Sequence, residues 1–210
     1  YGVDYIGIEC EGDYTISFTG STVTGLLPAD PYSGEYAFWS NKGDESNMTL
    51  TREFDFSNVS GPVELSFQTW YDIETDWDYL YVEVSENGET WDILTTPSGT
   101  GTDPSGNSYG WGYTGVTNGW IEEKIDLSDY AGKKVFVRFE YLTDAAVNGE
   151  GLLLDDVKVD AAGYSSDFEA DDGGWQAEGF VRVQNVLPQT FGLALIKTSD
   201  SSVTMIPLNE

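Results

Sequence analysis

The chain has 210 residues, with 9 Lys and Arg against 37 Asp and Glu, one Cys and no His, for a formal net charge of −28. That charge repels phosphate backbones and anionic lipid, which argues against nucleic-acid and polybasic membrane binding and leaves cations as natural partners. The lack of His excludes a Ser-His-Asp triad, a Cys-His pair and a His-ligated zinc, while 40% apolar and 14% aromatic residues are enough for a sizeable core.

The sequence starts at Tyr1 without Met or a signal peptide, so a processed chain or an excerpt of a longer protein is expected. Cys10 has no internal disulfide partner, and no apolar run is long enough to span a bilayer. Near the start, Glu9 and Glu11 flank Cys10, and Gly43-Asp44-Glu45-Ser46 places two carboxylates in a turn. Both are candidate cation sites, because calcium takes roughly 6–8 oxygen ligands gathered from several segments. No EF-hand spacing is present.

A period of two then dominates. Met48, Leu50, Phe54 and Phe56 share one face, interrupted by Arg52. Val63, Leu65, Phe67, Thr69 and Tyr71 form a second row. Such rows are half-buried strands. Tyr71 to Tyr81 follows, dense in Asp, Glu, Trp and Tyr. It reads as a loop entering a strand with Asp78 bonding local backbone, or as a metal loop or sugar-stacking patch. Leu80, Val82 and Val84 form the next row and end at the turn Glu86-Asn87-Gly88-Glu89. The long loop from Thr96 to Asn118 carries Tyr109, Trp111 and Tyr113, and long loops in compact domains are usually functional or mobile.

Two stretches echo each other. Asp55-Phe56-Ser57 through Gly61 resembles Asp126-Leu127-Ser128 through Gly132, and each precedes an alternating strand, Val63 to Tyr71 and Val135 to Tyr141. Equivalent corners of a two-sheet fold are expected. In Leu152 to Val159, alternation puts Leu153, Asp155, Val157 and Val159 on one face, with Asp156 facing the other way unless a bulge re-aims it. A carboxylate on a core face needs a cation or many donors; Arg52 or a bound metal would supply the first. Asp160-Ala161-Ala162-Gly163 reads as a linker. The last segment, too small to be stable alone, is expected to pack on the first domain or be completed by a neighbour. A short echo between Tyr1–Ile6 and Phe191–Ile196 suggests terminal segments that belong to equivalent β units or pair in an extra sheet.

Together these features predict an all-β jelly-roll sandwich over residues 1–161, with a short additional β segment over 162–210. Expected metal ligands are Asp155, Asp44, Glu45 and Glu11. If the chain is instead a carbohydrate-binding module, Trp77, Tyr79, Trp111 and Tyr113 should be exposed and roughly coplanar. If it is a subunit of a surface layer or filament, its terminal strands should pair between copies. Glycosidase chemistry needs only two carboxylates, but no spacing singles out a pair. Asn47 and Asn58 fit the glycosylation pattern.

Three blocks carry a family resemblance. The first joins Ser33-Gly34-Glu35-Tyr36-Ala37-Phe38-Trp39-Ser40, Gly43-Asp44-Glu45 and Leu50 to Ser57. The second runs from Trp70 to Tyr79, with Val82-Glu83-Val84-Ser85 and Thr90-Trp91. The third is Phe139 to Asp144 with Leu154-Asp155-Asp156-Val157. They resemble the MAM-like jelly roll of the immune inhibitor A family of secreted bacterial metallopeptidases. Asp171 to Arg182 is similar to the accessory segment that follows it in that family. The resemblance implies a secreted, non-catalytic accessory or adhesion module without the family's zinc helix. It also implies a structural calcium, with Asp155, Asp44 and Glu45 as matching positions. Expected partners are a cation and a glycan, a cell-surface protein or copies of the chain.

Overall fold

A computed structural model describes every residue except Tyr1, Gly2, Glu9, Cys10, Glu11, Tyr14, Pro207, Asn209 and Glu210. Two compact units result, one formed by residues 25–187 and the other by residues 1–24 with 188–210. The strands in chain order are β1 (Val23–Thr24), β2 (Tyr36–Trp39), β3 (Asn47–Asp55), β4 (Glu64–Ile73), β5 (Tyr79–Ser85), β6 (Asp92–Ile93), β7 (Gly115–Val116) and β8 (Ile121–Asp126). They continue as β9 (Lys134–Leu142), β10 (Gly151–Val159), β11 (Tyr164–Ser166), β12 (Gln176–Glu178), β13 (Val181–Gln184), β14 (Leu187–Pro188), β15 (Leu193–Lys197) and β16 (Ser202–Ile206).

The larger unit is an antiparallel two-sheet sandwich. One sheet runs β13-β2-β10-β4-β7, with β8 also on β4 and β11 also on β10; the other runs β12-β3-β9-β5-β6. β2, β4, β8 and β10 lie in the first sheet and β3, β5 and β9 in the second, so the chain crosses between layers as a jelly roll does. Apolar rows from both layers meet in one core: Leu65, Phe67 and Tyr71 from β4, and Val135, Val137, Phe139 and Tyr141 from β9. Edge-on rings of Phe67 and Phe139, 5.0 Å apart, join the layers.

The echoed corners are equivalent. Asp55 accepts the Ser57 N–H and Asp126 the Ser128 N–H, each at 2.9 Å. The Ser57 and Ser128 side chains first, and then these N–H groups, hold both carboxyls below the usual Asp range, Asp55 at about 2 with Lys134 adding to the effect. The corners also bond one another, Phe56 N–H to Lys133 O at 2.8 Å and Gly132 N–H to Phe56 O at 2.9 Å.

Several expectations change. β10 shifts register between Asp155 and Lys158, and Asp156 has φ 47°. Leu152 and Leu154 therefore share the core with Val157 and Val159, and Asp155 does not belong to the apolar row. Arg52 does not pair with Asp155. Its guanidinium lies 3.9 Å from the Tyr164 ring centre and 4.5 Å from that of Phe54, and it donates to Gly173 O. The expected linker is a tight turn, with Gly163 left-handed at φ 63°, that folds β11 back onto β10. β12 and β13 then join β3 and β2, so part of the 162–210 segment adds strands to the two sheets.

In the smaller unit, Leu193–Lys197 pairs with Ser202–Ile206 as a local hairpin rather than with the N-terminal segment, whose residues 3–8 form no strand. Glu11 lies outside the described residues.

Candidate metal centre

The β4–β5 connection is a tight acidic turn. Trp77 and Asp78 N–H groups both donate to the Glu74 carbonyl, at 3.4 and 3.2 Å, and Asp76 is left-handed at φ 67°. The turn is tied to the 96–118 loop by Thr114, whose hydroxyl donates to Glu74 O and accepts the Asp76 N–H. Beside it, the chain leaves β9 through Thr143 and Asp144. Asp144 N–H donates to Asp78 Oδ1 at 2.8 Å, and Asp144 O accepts the Glu45 N–H at 2.6 Å.

These connections bring Glu74, Asp78 and Asp144 together, with one carboxylate oxygen of each within 4.8 Å of the others. Oxygens sharing one calcium at roughly 2.3–2.6 Å lie at most about 5 Å apart, so the spacing suits a single ion. Asp78 has no exposed surface, and Glu74 Oε2 is buried without any hydrogen-bond partner. No ion pair among the described residues includes any of the three.

Burial pushes the Asp78 carboxyl up to about 6; the Asp144 N–H opposes this, while Asp144 and Glu74 charges add to it. Glu74 is raised by burial and then by the charges of Asp144 and Asp44. An orphaned buried oxygen among mutually repelling carboxylates fits a hard divalent cation, which would satisfy the oxygen and offset the repulsion.

The four expected ligands are distributed differently. Asp44 lies near enough to raise Glu74, but its Oδ1 accepts from the Asn148 amide at 2.6 Å. Glu45 is exposed at φ 47° and joins the corner through its backbone. Asp155 is buried elsewhere. It accepts the Ser33 N–H at 3.0 Å and the Asp156 N–H at 2.8 Å, while burial pushes its carboxyl up to about 6. Its partners among the described residues are thus backbone donors, and it lies apart from Asp44 and Glu45. Glu74 and Asp78 belong to the acidic stretch already suspected as a metal loop; Asp144 carried no signal of its own.

The aromatic candidates also divide. Tyr113 is fully buried: its ring packs 5.4 Å from Tyr71 and its hydroxyl donates to buried Glu123 at 2.9 Å. Tyr79 is 1% exposed, and Trp111 sends its indole N–H to Thr96 O. A coplanar exposed row is therefore not formed, because the 96–118 loop folds over β5 and inserts Tyr113 into the core. Instead Trp77, Tyr79, Asn107, Tyr109, Thr143 and Asp144 line a cleft of about 300 Å³.

Fold and site define an all-β domain, a jelly roll with an acidic corner where the β4–β5 turn meets the end of β9. Residues 15–185 match the family model described as the immune inhibitor A-like MAM domain, and the chain belongs to that family. It is 32% identical over 141 residues to pre-pro-metalloprotease PrtV of Vibrio cholerae, covering 67% of this chain and 14% of that protein. To immune inhibitor A of Bacillus thuringiensis it is 34% identical over 145 residues, 66% of this chain and 20% of that protein. To bacillopeptidase F of Bacillus subtilis it is 32% identical over 135 residues, 62% and 8% respectively. The chain thus spans a fifth or less of these relatives.

Proposed function

We propose that this domain is a non-catalytic, calcium-stabilised accessory module of a secreted, peptidase-like protein, and that Glu74, Asp78 and Asp144 hold the ion. The carrying observation is the buried Glu74 oxygen that has no partner beside two further carboxylates. Oxygen-only donors select a hard cation, and calcium tolerates irregular coordination completed by carbonyls and water. The ion would bridge the β4–β5 turn to the end of β9, fixing two connections that cross between sheets. Matches to PrtV and immune inhibitor A support the accessory role and an extracellular setting. Among the described residues no helix is long and apolar enough to cross a membrane.

Since the unfolded chain has no assembled site, calcium stabilises by mass action. A thermal melt after EDTA treatment should show a lowered midpoint, restored by added calcium and insensitive to calcium in Asp78→Asn. An identical midpoint in EDTA and in calcium would sink the proposal.

A further inference from the structure

The cleft beside the acidic corner has its own chemistry. Trp77 is 48% exposed and Tyr109 77% exposed, and both rings line it. They are anchored through their backbones: Trp77 O accepts from the Asn107 amide at 3.2 Å, and Tyr109 N–H donates to the Tyr81 hydroxyl at 2.9 Å. The indole N–H of Trp39, Trp111, Trp120 and Trp175 is in each case bonded to a carbonyl or hydroxyl. Among the described residues the Trp77 indole N–H, like those of Trp70 and Trp91, has no such partner, nor have the Tyr109 hydroxyl and the Asn107 side-chain carbonyl. The cleft therefore offers two aromatic rings next to unused donors and an unused acceptor, on a turn and a loop held by internal hydrogen bonds.

We infer that this cleft binds a neutral oligosaccharide, with Trp77 and Tyr109 as stacking platforms. A sugar ring presents an apolar C–H face bordered by hydroxyls, which matches rings that are apolar in the middle and polar at one end. No Lys or Arg lines the cleft and the molecule carries −28, so an anionic ligand is repelled. Its one lining carboxylate, Asp144, also belongs to the cation group. Occupied by calcium, that group leaves the cleft little free charge to attract a basic ligand, a step that rests on the proposed calcium site.

The test is calorimetric and fluorescence titration of the calcium-loaded full chain with cellohexaose, chitohexaose, xylohexaose and mannohexaose, with polylysine as a cationic probe. Binding of at least one hexaose is expected, insensitive to salt. Trp77→Ala and Tyr109→Ala should each weaken it by about ten-fold or more, the scale of a lost aromatic contact. Trp120→Phe should leave it unchanged. Both alanine changes are at exposed side chains, and an unaltered melting midpoint would show that the fold persists. Silence with every hexaose at millimolar concentration overturns the inference, as does unchanged affinity in Trp77→Ala. Polylysine binding that needs Trp77, with no hexaose binding, overturns it in favour of a cationic ligand. A calcium-dependent midpoint without sugar binding removes this inference alone; sugar binding without any calcium response removes the calcium site alone.

Discussion

Acids under cover in this molecule meet different fates, decided residue by residue. Asp155 is held by backbone donors from Ser33 and Asp156. Glu123, 1% exposed, is held by Tyr113 and Ser98, and it ties the long loop to β8. Glu74 keeps an oxygen with no partner at all. The second case gives a direct prediction. Tyr113→Phe removes one donor from a buried carboxylate while preserving the ring, which should cost about 1–3 kcal/mol. Urea unfolding would measure this; a change near zero would mean that water or Ser98 fully replaces the hydroxyl. Which acids would cluster was only partly legible. Glu74 and Asp78 lie in one acidic turn, whereas Asp144 arrives from a strand end distant in sequence. Asp155 looked more conspicuous among apolar residues, but a bulge that strict alternation does not encode takes it off the core row.

On β9, Arg138 serves two carboxylates at once. It lies 2.6 Å from Glu83 of β5 and 2.9 Å from Glu140, with its guanidinium 4.0 Å from the Trp91 ring centre. One cation cannot fully offset two half-desolvated acids. Burial first, and then the Glu140 charge, raise the Glu83 carboxyl above its usual value of 4.5, against the pull of Arg138. The folded chain thus holds this proton more tightly than the unfolded chain, so stability from this group falls as pH rises above about 4.5 toward neutrality. The melting midpoint should drop between pH 5 and pH 8 in the wild type, and by clearly less in Glu83→Gln. Parallel slopes would show that Glu83 ionises normally. At this scale the strands were well encoded: the rows of β4 and β9 emerge on the faces that alternation assigns them. β5 was half legible, because Leu80, Val82 and Val84 are core as expected while its other face is covered by a loop of low regularity. The link at 160–163 misled for a physical reason, since a Gly-ended turn can serve either a linker or a hairpin, and only the pairing of β11 decides.

For the molecule as a whole, a charge of −28 works against compactness, because like charges drawn together by folding repel. The sandwich tolerates this where acids are solvated, and the repulsion concentrates where connections force acids together under cover. The corner of Glu74, Asp78 and Asp144 is such a place. Fold class and family were legible from the sequence because many apolar positions and turn residues agree on one topology; the ion site depends on contacts between segments roughly seventy residues apart. Calcium titration of the EDTA-stripped chain by isothermal calorimetry addresses that site most directly. Uptake of calcium by the wild type is expected, with the Glu74–Asp78–Asp144 site lost in both Asp78→Asn and Asp144→Asn. A wild type that takes up no calcium, or variants that bind it with unchanged stoichiometry and affinity, would contradict the account.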